Sequence, residues 1–254
     1  MLRLIRKRWA RARPAPFPAP IHADGVIYAV GDVHGRHDLL ARLLDRIFED
    51  AAAYETTPKI VFLGDYIDRG EHARDTIDLL IELAERPEAE TVFLMGNHEQ
   101  MLLRFLRDPS SGSGWLRYGG LQTLMSYGVG GVGNLRAEGE ARRFRGALVE
   151  ALGTHLGFIE RLRASHQAGN LLFTHAGADP ALPADEQDIA VLLWGCESFR
   201  TTDRDDGVWV VHGHFVVERP TAEHGRIAID TGAYFSGRLT AARIAGGEVV
   251  FLEG

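Results

Sequence analysis

The chain has one cysteine, Cys196, in 254 residues. No intrachain disulfide can form, and nothing calls for an oxidising compartment. No apolar run approaches the roughly 20 residues of a membrane-spanning helix. Positive charge is not in excess: 28 Lys and Arg stand against 35 Asp and Glu, for a net charge of -7. Non-specific nucleic-acid binding rests on phosphate neutralisation, so this balance speaks against a nucleic acid duplex as partner. The N-terminus lacks the apolar centre of a secretory signal. It is basic through Arg13 and proline-rich from Pro14 to Pro20. Residues 1–24 are therefore expected to be a disordered tail, with weak contact to an anionic surface as the lesser alternative. A cytoplasmic protein with no stable membrane insertion is expected. The 45% hydrophobic content suffices for a full core, and residues 25–254 are expected to form one domain.

Three short apolar runs each end in glycine followed by Asp or Asn, with His close behind in two of them. Val26-Ile27-Tyr28-Ala29-Val30 enters Gly31-Asp32-Val33-His34-Gly35. Ile60-Val61-Phe62-Leu63 enters Gly64-Asp65-Tyr66-Ile67-Asp68-Arg69-Gly70, and Thr91-Val92-Phe93-Leu94-Met95 enters Gly96-Asn97-His98-Glu99. Runs of this kind read as buried strands ending in tight turns. Between them, Leu39, Leu40, Leu43, Leu44, Ile47 and Phe48 share a helical face, and so do Ile77, Leu80, Ile81 and Ala84. Residues 25–97 thus predict β-α-β-α-β with parallel strands. Chemistry at the carboxyl ends of such strands would gather the three turns into one site.

From about residue 100 to 169 the spacing predicts a helical insertion beside that site. A helix runs on from the third turn, Ser110 to Gly114 reads as a loop, and Trp115 to Tyr127 reads as a short helix broken by glycines. Gly128 to Gly133 is too glycine-rich to be regular, and Arg142 to Ser165 reads as helix with a break at Gly153. The insertion is either a cap completing the core or a surface selecting substrate. Strands then return at Asn170–Thr174, Val208–Val211, Arg226–Ile229, Leu239–Ile244 and Glu248–Leu252, the last two forming a hairpin over Gly246-Gly247. Their close succession predicts a mixed or antiparallel arrangement.

The polar residues at the strand ends are Asp32, His34, Asp65, Asp68, Asn97, His98, His175, His212 and His214. This oxygen-and-imidazole set, without cysteine, suits Mn, Fe or Zn in a working site. Burying so many charges and imidazoles without metal would be too costly. Asp65 has two oxygens with which to bridge two ions. Two metals about 3.5–4 Å apart would bring the pKa of a bridging water toward about 7 and hold the phosphoryl oxygens.

The runs GDVHG, GDYIDRG and GNHE, followed by THAG at His175 and HGHFVVE at His214, resemble the signature motifs of the PPP-type metallophosphoesterases. That group holds protein Ser/Thr phosphatases and symmetrical diadenosine-tetraphosphate hydrolases. The resemblance covers about residues 25–235. It implies a calcineurin-like α/β fold in four layers (α/β/β/α), with mixed sheets and flanking helices. It implies two divalent metals, manganese foremost. Asp32, His34 and Asp65 would hold one, and Asp65, Asn97, His175 and His214 the other. His98 would protonate the leaving alkoxide, with Asp68 orienting it and Arg69 binding phosphate oxygens. Chemistry supports these roles: an alkoxide needs a proton to leave at neutral pH, and a guanidinium suits phosphate. One departure stands out. Many relatives have a second phosphate-binding arginine after a Leu-Trp pair, where this chain has Leu193-Trp194-Gly195-Cys196. Arg200 or Arg204 is a candidate substitute, and His212 a neighbour of the ligands. The expected activity is hydrolysis of phosphomonoesters, with phosphoserine and phosphothreonine proteins leading. The alternatives are a symmetrical dinucleoside-tetraphosphate hydrolase and a non-catalytic phospho-binding protein.

Overall fold

The computed structural model describes Phe17 and residues 19–54, 57–131 and 138–254. Most of the expected tail, and Val132 and Gly133 of the glycine-rich stretch, lie outside the described residues. The first half is the expected parallel unit. Strands β1 (Ile27–Val30), β2 (Lys59–Phe62) and β3 (Glu90–Phe93) pair in parallel, linked by α1 (His37–Ala51) and α2 (Ala73–Ala84). Helix α3 (Asn97–Arg107) leaves the third turn directly. Then come α4 (Gly112–Trp115), α5 (Leu121–Ser126), α6 (Glu138–Leu152) and α7 (Thr154–Glu160). The second half comprises β4 (Ser165–Ala168), β5 (Leu171–Thr174), α8 (Ile189–Trp194), α9 (Glu197–Thr201), β6 (Trp209–His212), β7 (Thr221–Glu223), β8 (Arg226–Ala228), α10 (Ala233–Ser236), β9 (Thr240–Ala245) and β10 (Glu248–Glu253).

These strands make two mixed five-stranded sheets, in the orders β10-β9-β1-β2-β3 and β4-β5-β6-β8-β7. The β9-β10 hairpin turns back to lie antiparallel against β1. In the second sheet β5, β6 and β8 are parallel, with β4 and β7 antiparallel at the edges. Side-chain alternation along each strand builds the layers. Tyr28, Val30, Ile60 and Phe62 face α1 and α2, among Leu39, Leu43 and Leu80. Ile27, Ala29, Val61 and Leu63 face the second sheet and meet Phe173, Val211 and Ile227. The outer side of that sheet packs Leu172 and Val210 under Phe199 of α9. The result is the expected four-layer α/β/β/α fold. No helix among the described residues is long and apolar enough to cross a membrane.

Some details differ from the sequence reading. Leu83, not Ala84, completes the buried face of α2. The loop at Ser110 to Gly114 is a 3-10 turn, Pro109–Ser111, running into α4. The helix predicted to reach Ser165 ends at Glu160, and Ser165–Ala168 forms an edge strand against β5. The folded part also begins before Gly25. Phe17 packs edge-on against Trp209 at 5.2 Å, and the Trp209 indole donates to the Ala19 carbonyl at 3.0 Å. Asn170 binds both the Pro20 carbonyl and the His22 amide. A buried indole at the start of the central strand β6 needs a partner for its N–H, and the end of the tail supplies it.

Candidate metal centre

The strand ends of both sheets converge on one cluster, and the backbone there is strained. Among the described residues six non-glycines have positive φ, and five are expected site residues: His34, Asp65, Asp68, Arg69 and His214. Left-handed conformations cost about 1 kcal/mol or more in non-glycine residues and persist where the surroundings over-determine them. The turn after β2 is held by Glu99, whose buried carboxylate accepts the N–H groups of Asp65, Tyr66, Ile67 and Gly96 at 2.8–3.3 Å.

Asp65 is the hub. Its Oδ2 lies 3.5 Å from Nε2 of His34 and 3.4 Å from Nε2 of His175. The Nδ1 atoms of those two rings donate to the carbonyls of Ile67 and Leu63, each at 2.9 Å. The Nε2 atoms are thereby turned toward the carboxylate, the orientation that ligating histidines take. Asn97 Oδ1 lies 2.9 Å from Nε2 of His175 and 3.0 Å from Nδ1 of His214. The carboxylate of Asp32 accepts the His214 N–H at 3.1 and 3.2 Å. Two groups with donor atoms close enough for a cation share Asp65: one with His34 and His98, the other with His175 and His214. Gly96 makes room for the hub, since a Cβ there would lie 2.0 Å from Asp65 Oδ1.

Beside the hub sits a second arrangement. His98 Nδ1 donates to Asp68 at 2.7 Å, and its Nε2 lies 3.8 Å from Asp65 Oδ2 and 3.4 Å from Nη2 of Arg69. Burial lowers the pKa of His98, but the Asp65 and Asp68 carboxylates outweigh it and hold the imidazole above its ordinary value. The Arg69 guanidinium lies over the Tyr234 ring at 4.7 Å.

The model of the calcineurin-like phosphoesterase family matches residues 25–218. This chain belongs to that family. Among curated proteins, the asymmetrical bis(5'-nucleosyl)-tetraphosphatase PrpE of Halalkalibacterium halodurans is 28% identical over 234 residues, 84% of this chain and 88% of that one. The serine/threonine-protein phosphatase PP2A-like PPG1 of Saccharomyces cerevisiae is 41% identical over 80 residues, 31% of this chain and 20% of its own. Among solved structures, a protein provisionally described as a diadenosine tetraphosphatase shares the fold at TM-score 0.59 and 20% identity, over 91% of this chain and 94% of that one.

Calcineurin-like phosphoesterases use a dinuclear divalent centre, and the donors present here fit one. They are carboxylate, amide and imidazole groups, with no thiolate among them. Asp32 is nearly inaccessible; burial, with the Asp230 carboxylate adding to it, pushes its carboxyl well above the usual range. Divalent cations would relieve that cost. His34 is held neutral by burial, at about 3, and so is His214, at about 4, as ligation requires.

Four residues singled out beside this calcineurin-like site stand apart from the cluster. His212 donates to the Gly213 carbonyl at 3.0 Å and packs its ring on Phe199 at 4.9 Å. Arg204 is buried and spent on Asp206 and the carbonyls of Asp179 and Leu182. Its guanidinium is engaged there rather than in the cluster. Arg204→Ala should lower stability by about 2 kcal/mol in urea unfolding while leaving metal content unchanged. Cys196 and Arg200 line an open hollow of about 500 Å³, where Arg200 lies over the Phe215 ring at 5.2 Å and Phe215 meets the His214 ring at 4.9 Å. Three further residues escaped the sequence reading: Glu99, Trp115 as a hydrogen-bond donor, and Thr123. For Glu99 a signal existed, a glutamate three residues after the glycine that opens α3. For the other two there was none, because their partner lies about fifty residues away.

Proposed function

We propose that the protein is a two-metal phosphomonoesterase acting on esters of alkyl alcohols, with phosphoserine or phosphothreonine side chains as the leading substrates. The observation that carries this reading is the buried His98–Asp68 pair beside the candidate metal cluster. A departing alkoxide is far more basic than a departing phosphate, so a tightly held proton donor matters most for an alkyl ester. Asp32, His34 and Asp65 would hold one cation, and Asp65, Asn97, His175 and His214 the other; manganese is the first choice for the assay. When bound, the pair supplies an activated water and charge stabilisation at the phosphoryl oxygens. His98 gives its Nε2 proton to the leaving oxygen, Asp68 keeps the ring in place, and Arg69 binds the phosphoryl oxygens.

A second reading has its own support. The PrpE relative that spans nearly the whole chain is named a dinucleoside tetraphosphatase, of the asymmetrical rather than the symmetrical kind expected above. A cavity of about 750 Å³ beside α3 is lined by Met101, Tyr118, Ile189 and Trp194, within the size range of small-ligand sites. A base would need an aromatic face; in the insertion Trp115 and Tyr127 are buried, while Tyr118 is exposed. Trp194 would be its partner.

Metal-stripped protein refilled with manganese, assayed on a phosphothreonine peptide and on diadenosine tetraphosphate, separates the two. Turnover of the peptide alone supports the first reading, and turnover of the dinucleotide alone supports the second. His98→Asn should reduce kcat on the peptide about 100-fold or more and on p-nitrophenyl phosphate far less. Equal loss on both substrates would remove His98 from the acid role.

A further inference from the structure

Asp68 is fully buried and its carboxylate is saturated from the insertion side. Trp115 Nε1 donates to Oδ2 at 2.8 Å, the oxygen that also accepts His98 Nδ1. Thr123 Oγ1 donates to Oδ1 at 2.6 Å and accepts the Asp68 N–H at 2.9 Å. The single hydroxyl proton of Thr123 is thus committed to Asp68. Next door, the Arg69 N–H meets the Gly119 carbonyl at 3.4 Å. A Cβ on Gly119, at φ 107°, would lie 2.4 Å from the Arg69 nitrogen, so only glycine permits this approach.

The segment has its own anchors. The Trp115 ring stacks on Phe105 at 5.2 Å, and a Cβ on Gly120 would strike it at 2.5 Å. Below α5, Tyr127 meets His155 at 2.8 Å, and His155 meets Asp78 at 2.9 Å. Ser126 accepts the Arg74 N–H of α2. None of these contacts involves Asp32, His34, Asp65, Asn97, His175 or His214.

We infer that Trp115 and Thr123 are positioning residues for proton donation: they fix Asp68, and Asp68 fixes the imidazole of His98 toward the leaving oxygen. The inference rests on the proposed acid role of His98 and assigns the helical insertion a part beyond capping or substrate choice. Without the two donors, Asp68 keeps its place in the chain but has two empty acceptor positions, and the imidazole has a wider range of orientations. Donation to a poor leaving group suffers first. Metal loading does not, because the proposed ligands are held by other contacts, and substrate binding does not, because the Gly119 carbonyl that meets the Arg69 N–H is present in either case.

The test uses Thr123→Val, Trp115→Phe and Thr123→Ser in the full chain, refilled with manganese, with metal content and melting temperature recorded. Phenyl phosphate is the poor-leaving-group probe and p-nitrophenyl phosphate the activated one. Thr123→Val and Trp115→Phe should each lower kcat on phenyl phosphate about tenfold or more, with p-nitrophenyl phosphate within about threefold, since general acid catalysis contributes roughly 10²–10⁴. KM and metal content should stay level, and Thr123→Ser should restore the rate. Trp115→Phe retains the stack on Phe105 and gives the same reading where Thr123→Val folds poorly. Parallel loss on both esters, loss of metal, or no loss on phenyl phosphate would overturn the inference while leaving the phosphoesterase reading intact. A wild-type protein that binds two metals and hydrolyses neither ester would overturn both.

Discussion

Asparagine in place of Asp65 is expected to end metal-dependent turnover of every ester and to cost the purified protein at least one of the two cations proposed for it. The substitution preserves shape. The Asp65 carbonyl would still accept the N–H groups of Val33 and His34 at 3.1 and 2.8 Å, and the backbone N–H would still reach Glu99. What changes is one negative charge at the point shared by both donor groups. Burial opposes that charge, but His175 and His98 outweigh burial and hold the carboxyl well below its usual range. A neutral amide facing His34 and His175 would offer one oxygen where the proposed centre would use both. The expected loss in kcat/KM is about a thousandfold or more, equivalent to about 4 kcal/mol of transition-state stabilisation. Elemental analysis of the bound metal alongside kcat/KM decides it. Two ions per chain with near-normal activity would show that Asp65 is not the bridge. Chelation of the wild type should reproduce the kinetic loss, and refilling with manganese should reverse it only where Asp65 is intact.

This hub was legible because each of its parts is local. A β-branched run, a glycine and an acidic residue within ten positions specify a strand, its end and what the end presents. The three turns repeat that pattern, so Asp32, His34, Asp65, Asn97 and His98 could all be named from short windows. The four-layer arrangement was reached through resemblance; periodicity alone reached only β-α-β-α-β and a mixed remainder. The failures fall where a residue's state depends on something distant. Ser165–Ala168 has no hydrophobic alternation and becomes a strand because β5 lies beside it. Arg204 looked available for phosphate, yet a salt bridge and two carbonyls within the second half of the chain absorb it. Trp115 read only as part of a short helix, while its indole N–H is committed to Asp68, forty-seven residues upstream. Sequence windows reveal which groups a turn presents, and they are silent about which donors arrive from another layer.

Glu99 is the sharpest case of a residue whose importance is structural in origin and chemical in effect, and Glu99→Ala should be the most destabilising single change in the site. Its side chain is fully buried at the start of α3. Its two oxygens accept from Gly96 and Asp65 on one side and from Tyr66 and Ile67 on the other. The carboxylate thus ties the third turn to the second and sets the left-handed backbone of Asp65, at φ 53°. Alanine would strand four buried N–H groups at about 1–3 kcal/mol each. A total loss of about 4 kcal/mol or more follows even if water reaches some of them, which is a large share of a domain's net stability of about 5–15 kcal/mol. Glutamine should fall between: one oxygen still accepts, while the amide nitrogen turns a donor toward other donors. Urea unfolding of the metal-free proteins measures the stability term, and manganese titration measures how far the Asp65 turn has lost its preorganised shape. A Glu99→Ala protein within about 1 kcal/mol of wild type would show that those N–H groups find other partners. A stable Glu99→Gln protein with weakened manganese binding would instead locate the role of Glu99 in the shape of the Asp65 turn rather than in the survival of the fold.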